Sequence, residues 1–119
     1  MIKGFEKETA DLNDHERNFL MPIVVGILIK AIGKKQSIMS KDIIYIIATK
    51  GHKTNSGKVR KIIHEIRMKG LIVNLIATNN GYYIATNPQE IDHYIQSLRT
   101  LEYSIMEIRK VLISQKPKL

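Results

Sequence analysis

The stretch that decides the fold runs from residue 54 to residue 86 and reads TNSGKVRKIIHEIRMKGLIVNLIATNNGYYIAT. Its first half repeats apolar side chains with the i, i+3, i+4, i+7 spacing that places residues on one face of a helix. This spacing predicts an amphipathic helix with Thr54 as its N-cap and Gly70 as its stop. The apolar face consists of Val59, Ile62, Ile63 and Ile66.

The second half of the stretch has the pattern of a β-hairpin. Residues 71–78 carry no charge and are rich in branched side chains, and residues 82–86 resume the same pattern. Between them, Asn79-Asn80-Gly81 is a tight-turn sequence. We therefore expect two antiparallel strands directly after the amphipathic helix.

Upstream of this stretch, the sequence predicts a first helix that begins at Asn13. Asn13 and Glu16 have the spacing of a capping box, in which each side chain accepts the backbone N–H of the other residue. Apolar residues then follow helical spacing from Phe19 to Ala31, and Gly33 with Lys34 and Lys35 marks the predicted end of the helix. Pro22 has no amide hydrogen, so we expect it to kink this helix or to start a second segment.

A second helix is predicted over residues 41–50, with Ser40 as its N-cap and Asp42 in its first turn. Its run of isoleucines also has high strand propensity, so a strand is the alternative for this segment. The short apolar segment of residues 37–39 precedes it, and we expect a short strand there.

A long last helix is predicted over residues 88–114, with Asn87 as its N-cap and Glu90 completing a capping box. Residues 116–119 form a tail, and residues 1–12 at the other end are expected to be a mobile arm. An unbroken heptad pattern along the last helix predicts a homodimer interface, with packing against the first helix of the same chain as the alternative. The heptad positions are Ile91, Tyr94, Leu98, Leu101, Ile105, Ile108 and Leu112.

Positive charge is concentrated in residues 50–70. This segment holds seven basic residues and one acidic residue, so it carries +6 of the chain's formal charge of +8. A local positive field of this kind favours an anionic polymer as a partner. The basic residues are Lys50, Lys53, Lys58, Arg60, Lys61, Arg67 and Lys69, and the acidic residue is Glu65.

Length and composition exclude several classes of protein. A chain of 119 residues with 44% hydrophobic residues has the size and apolar content of one folded domain. The absence of cysteine excludes disulfide scaffolds, thiolate zinc fingers and cysteine nucleophiles. Residues 1–11 contain no apolar stretch of signal-peptide length, and the longest apolar run, Phe19 to Ile29, is too short to span a membrane. We therefore expect a cytoplasmic protein without a membrane partner.

No catalytic motif is evident, and we expect a non-enzyme without a cofactor or a metal. The four histidines lack HExxH or comparable metal-ligand spacing. The stretch from Gly51 to Lys58 resembles a phosphate-binding loop, but it has five residues between its glycines where that loop needs four. Val59 also stands where the loop needs Ser or Thr to hold magnesium.

The order of helix, short strand, helix, turn, basic helix, hairpin and long helix resembles winged helix-turn-helix DNA-binding proteins. The resemblance covers residues 13–115 and implies a mainly α fold with a small β-hairpin. It makes residues 41–50 the positioning helix, residues 55–69 the recognition helix and residues 71–86 the wing. VRKIIHEIRMKGLI and NGYYIATNPQEIDHYIQSL are also similar to small helix-turn-helix proteins of bacteriophages and prophages. That similarity implies a role in transcription regulation or DNA replication in a bacterial or phage-infected cell.

The resemblance implies that the basic helix enters the major groove of double-stranded DNA. Arg60 is the expected guanine reader, because its planar guanidinium matches O6 and N7, and Asn55 is a candidate for pairing with adenine. The residues expected near base edges are Asn55, Ser56, Arg60, Lys61 and His64. Those expected at phosphates are Lys50, Lys53, Lys58, Arg67 and, at the tip of the wing, Asn79 and Asn80.

Two other interpretations of the same residues stay open. The basic face is alternatively a solvated helix surface without any ligand. The chain is alternatively an adaptor that contacts a replication or transcription protein through the last helix and the hairpin. The neutral hairpin tip, Thr78, Asn79 and Asn80, favours this alternative, since typical wings carry a basic residue there. Salt separates DNA binding from an apolar contact, since only binding through phosphates weakens steeply as salt rises.

Overall fold

The computed structural model describes residues 12–119. These residues form a mainly helical structure with a small two-stranded hairpin and a long C-terminal helix. The chain divides after Thr86 into two compact units, of which the second is Asn87–Leu119. The predicted mobile arm lies outside the described residues except for Leu12, which is buried in the core of the first unit instead of being mobile.

The first helical segment begins with the predicted capping box. The amide of Glu16 donates to Oδ1 of Asn13 at 2.8 Å, and the amide of Asn13 donates to Oε1 of Glu16 at 2.9 Å. A π-helical turn, Glu16–Leu20, continues into helix α1, Met21–Leu28. Pro22 therefore lies in the first turn of α1, directly after the π-helical turn, and it has no amide hydrogen to donate to that turn.

Helix α1 ends at Leu28, before the predicted stop at Gly33, and the chain then runs beside the hairpin. Residues Lys34–Gln36 form a 3₁₀ turn after Gly33, whose φ of 84° lies in the left-handed region that suits glycine. The short strand expected over residues 37–39 is reduced to a single bridging residue, Ile38.

Helix α2 spans Ser40–Thr49, and the strand alternative for this segment is wrong. The N-cap position is Met39 and not the predicted Ser40, and its amide donates to Oδ2 of Asp42 at 3.3 Å. A loop of residues 50–55 leads to helix α3, Ser56–Met68.

The hairpin consists of β1, Leu75–Thr78, and β2, Gly81–Ile84, which pair antiparallel with Thr78 opposite Gly81. Strand β1 begins later than predicted because residues 71–74 bend, with Asn74 at a φ of 61°. On the other edge of β2, Ile38 and Tyr82 exchange backbone hydrogen bonds of 3.0 and 2.8 Å. The segment before α2 is thus joined to the hairpin.

The core of the first unit lies between α1, α2, α3 and the hairpin. All four residues predicted for the apolar face of α3 are buried, as are Ile43 and Ile47 of α2. Phe19, predicted on the apolar face of the first helix, is 55% exposed, which makes it an exception to that prediction. Further core residues are Leu12, Leu20, Met21, Val24, Leu28, Ile72 and Leu75.

The second unit is helix α4, Pro88–Gln115, followed by a 3₁₀ turn, Lys116–Lys118. It begins with the predicted cap, since the amide of Glu90 donates to Oδ1 of Asn87 at 3.0 Å and Nδ2 of Asn87 donates to Oε1 of Glu90 at 2.9 Å. Within residues 12–119, no helix is long and apolar enough to cross a membrane.

Candidate nucleic-acid interface

Helix α3 starts at Asn55, whose side chain caps it. Oδ1 of Asn55 accepts the amide of Lys58 at 2.9 Å. The N-cap thus lies one residue after the predicted Thr54. The hydroxyl of Thr54 is buried without a hydrogen-bond partner within residues 12–119. Because the Asn55 oxygen serves the helix start, a paired contact to adenine would have to share that oxygen. Asn55 therefore has a structural role beside the one expected of it.

One side of α3 is exposed from its first turn to its last. Ser56, Arg60, His64 and Met68 follow each other at intervals of four residues, and all four are exposed. A Cβ added at Gly57 would lie 4.0 Å from Nη2 of Arg60, so the guanidinium lies over the first turn of the helix. We call Ser56, Arg60 and His64 the exposed row of α3.

Lys61, which was expected beside Arg60 near base edges, lies elsewhere. Its ammonium group is 3.0 Å from Oε1 of Glu16 and only 16% of its side chain is exposed, while Glu16 is 1% exposed. Lys61 therefore joins α3 to the first helical segment. The charge of Lys61, which was expected near base edges, is used in this contact within the fold.

The environment of Glu16 shows how this buried carboxylate keeps its charge. Burial by itself raises the pKa of Glu16, but the hydrogen bonds from the Asn13 amide and the Lys61 ammonium, with the charges of Lys61 and Lys58, outweigh it. The pKa of Glu16 is therefore below its ordinary value. The pair is a charge-assisted contact that needs both partners.

Arg67, which was expected at a phosphate, also contacts the protein itself. Its Nη2 donates to the backbone oxygen of Leu75 at 3.1 Å, so it joins the end of α3 to strand β1. One turn away, Lys69 lies 2.7 Å from Glu65, and the hydrogen bond from Lys69 lowers the pKa of Glu65. Lys61, Arg67 and Lys69 thus each have a partner within the first unit.

Three other lysines surround the start of α3. Lys50 follows α2, Lys53 lies in the loop before α3, and Lys58 is in the first turn of α3; all three are exposed. Asn79 and Asn80 are exposed at the hairpin turn, where the amide of Asn80 donates to Oγ1 of Thr78 at 3.1 Å. The tip of the hairpin is neutral, as its sequence indicates.

A ring cluster beside this surface was not predicted. Nε2 of His15 and Nδ1 of His52 are 3.1 Å apart, and the ring of Phe19 lies 5.9 Å from His15 and 5.8 Å from His52 between centroids. His15 and His52 are 37 positions apart, so no local spacing indicates the contact. Among residues 12–119, no group of three or more histidine, aspartate or glutamate side chains is placed to hold a metal ion.

The residues expected at a dimer interface lie on α4. Ile91 and Tyr94 are half-buried, and the other five heptad positions, from Leu98 to Leu112, are exposed. Within α4, which the structure describes in full, no residue is buried. This apolar face is a second surface, separate in sequence from the exposed row of α3.

Comparison with known proteins gives no relative. No protein-family model matches the chain, and no curated protein or solved structure matches it either. The interpretation of the site therefore depends on the geometry and chemistry of its own residues.

Proposed function

We propose that the first unit is a winged helix-turn-helix that binds double-stranded DNA, with α3 in the major groove. Its role would be that of a phage-type transcriptional regulator or a replication accessory factor. The observation that carries the proposal is the exposed row of α3, Ser56, Arg60 and His64, which lies opposite a fully buried apolar face and beside three exposed lysines.

The arrangement of the elements supports this proposal. Helices α2 and α3 pack together across the loop of residues 50–55, and the hairpin follows α3 directly. In a helix-turn-helix, the first helix holds the second so that residues in its N-terminal half reach base edges. The backbone pairing of Ile38 with Tyr82 adds a third segment to the hairpin, in the place of the short strand of a winged helix.

The chemistry of the surface divides into two groups. Arg60 and His64 carry hydrogen-bond donors toward the exposed side of α3, and an arginine is the commonest reader of guanine. Lys50, Lys53 and Lys58 are suited to phosphates, which fix the position of the protein without reading sequence. Lys61 and Arg67 are not part of the proposed interface.

The test is fluorescence anisotropy with a 20-base-pair duplex, repeated over a range of salt concentrations. We expect Arg60→Ala to weaken binding to a selected sequence about 5- to 150-fold, the effect of losing one base contact. Arg99→Ala, which removes an exposed arginine from α4, is the matched control and should bind as the natural chain does.

Salt dependence tests the phosphate contacts separately. Replacing Lys50, Lys53 and Lys58 together by Ala should lower the slope of log affinity against log salt by about 3, since each phosphate contact contributes about 0.9. Lys110→Ala controls for the loss of a lysine elsewhere. Unchanged affinity and slope in both sets of variants, with intact circular dichroism, would exclude this surface and favour the adaptor function.

A further inference from the structure

The apolar face of α4 has the periodicity of a two-stranded coiled coil. With Leu98, Ile105 and Leu112 as the a positions, Leu101 and Ile108 are d positions. The exposed side chains on this face form an open groove. A continuous exposed stripe of this kind is typical of a surface that binds another protein.

The charges beside the stripe complement those of a second copy of this chain. Glu102 and Arg109 both occupy e positions and both line the groove, whereas Ser97, Ser104 and Val111 occupy the g positions. In a parallel pair, e positions face g positions, so neither charge would meet an opposite charge. In an antiparallel pair, e positions face e positions of the partner helix.

We propose that α4 associates with α4 of a second copy as an antiparallel two-helix coiled coil centred between residues 106 and 107. Ile105 then packs against Ile108 of the second copy, and Leu101 against its Leu112. Glu102 faces Arg109 of the second copy, and the two-fold axis repeats this pair, so the register forms two opposite-charge pairs.

The same two residues select this register over its neighbours. A shift of one heptad in one direction places Glu102 opposite Glu102 of the second copy. A shift of one heptad in the other direction places Arg109 opposite Arg109. Like charges at facing positions disfavour both alternatives. No residue in this argument lies on α3, so the inference is independent of the proposed DNA binding.

The first experiment measures self-association of the full chain by analytical ultracentrifugation in 50 mM salt. Glu102→Arg and Arg109→Glu each replace two attractive pairs by two repulsive pairs, and we expect each to weaken the dimer about 10- to 30-fold. The double variant, and an equimolar mixture of the two single variants, should dimerise as the natural chain does.

Matched controls separate position from net charge. Glu107→Arg and Lys110→Glu make the same kinds of charge change at positions that do not line the groove, and both should leave dimerisation unchanged. A natural chain that is monomeric at 100 μM, or charge variants that dimerise as well as their controls, would overturn the proposal.

The second experiment determines the direction of the helices. The chain has no cysteine, so single cysteines at the f positions Gln96 and Lys110 accept spin labels cleanly. In the antiparallel register, the two labels are separated along the axis by about 31 Å for residue 96 and about 10 Å for residue 110, at 1.5 Å per residue. A parallel dimer would give the same label separation at both positions and would overturn the proposed orientation.

Discussion

The contact between Lys61 and Glu16 makes a quantitative prediction about stability. In Lys61→Met, the apolar stem of the side chain is largely kept while the ammonium group is removed. Glu16 is then left 1% exposed, with the Asn13 amide as the remaining hydrogen-bond donor to Oε1. A carboxylate in that position has lost a charged partner but has not regained water.

The magnitude follows from the geometry of the pair. Removing one partner of a fully buried ion pair costs about 3–5 kcal/mol, and a hydrogen bond to a charged group contributes about 1.5–3 kcal/mol. Because 16% of the Lys61 side chain is exposed, water reaches the edge of the site, and the loss should be closer to that of a hydrogen bond to a charged group than to that of a fully buried ion pair. We expect Lys61→Met to lower the free energy of unfolding by about 2–3 kcal/mol, which corresponds to a fall in Tm of about 8–12 °C.

The loss should depend on pH, because the folded state lowers the pKa of Glu16. A carboxylate with a lowered pKa stabilises the fold above its unfolded value and loses that contribution as the pH falls through the folded value. The difference in stability between the natural chain and Lys61→Met should therefore be full at pH 7 and should shrink as the pH falls below the ordinary value of 4.5.

Urea unfolding followed by circular dichroism, at several pH values, measures this difference. Lys53→Met is the matched control, since Lys53 is exposed, and it should change stability by less than about 0.5 kcal/mol. Adding Glu16→Gln to Lys61→Met removes the buried charge while keeping an oxygen for the Asn13 amide, so the double variant should be more stable than Lys61→Met. The reasoning is refuted if Lys61→Met loses no more stability than Lys53→Met.

Two further predictions concern the hairpin. A Cβ at Gly81 would collide with the backbone oxygen of Ile38, and the φ of Gly81 is 115°. Gly81→Ala should therefore lower the free energy of unfolding in urea by more than about 3 kcal/mol. Gly51→Ala is the control: φ is 85° and no atom lies within 4 Å of the added Cβ, so the loss should be about 1–2 kcal/mol. If the hairpin tip approaches DNA, replacing Asn79 and Asn80 by Lys should raise affinity for all duplexes by a similar factor, and unchanged affinity at 50 mM salt would place the tip away from DNA.

The features that the sequence predicted well are those with local causes. The capping box at Asn13, the N-cap at Asn87 and the turn ending at Gly81 depend on residues within four positions of each other. The buried face of α3 follows from its helical period. These elements form as predicted because neighbouring residues supply the hydrogen bonds and the apolar contacts that define them.

The features that were missed depend on contacts between residues distant in the chain, or on neighbouring residues with similar propensities for the same position. Helical spacing places Lys61 on the outward side of α3, and nothing near it in sequence indicates that Glu16, 45 positions away, packs there. Thr54 and Asn55 are both good N-caps, so propensity alone does not decide between them. The start of β1 was misplaced because strand propensity in residues 71–73 does not reveal the left-handed turn at Asn74.

The contacts of three basic residues divide the positive charge of residues 50–70 into two groups. Lys61 is paired with Glu16, Arg67 is bound to the backbone of Leu75, and Lys69 is paired with Glu65. Lys61, Arg67 and Lys69 therefore use their charges in contacts within the first unit, and the other four basic residues of the segment lie within residues 50–60. That is the loop and the N-terminal half of α3, the part of a helix-turn-helix that approaches base edges. Under the proposed function, stability and DNA binding depend on different basic residues of one helix, so variants at Lys61 and at Arg60 should affect the two properties separately.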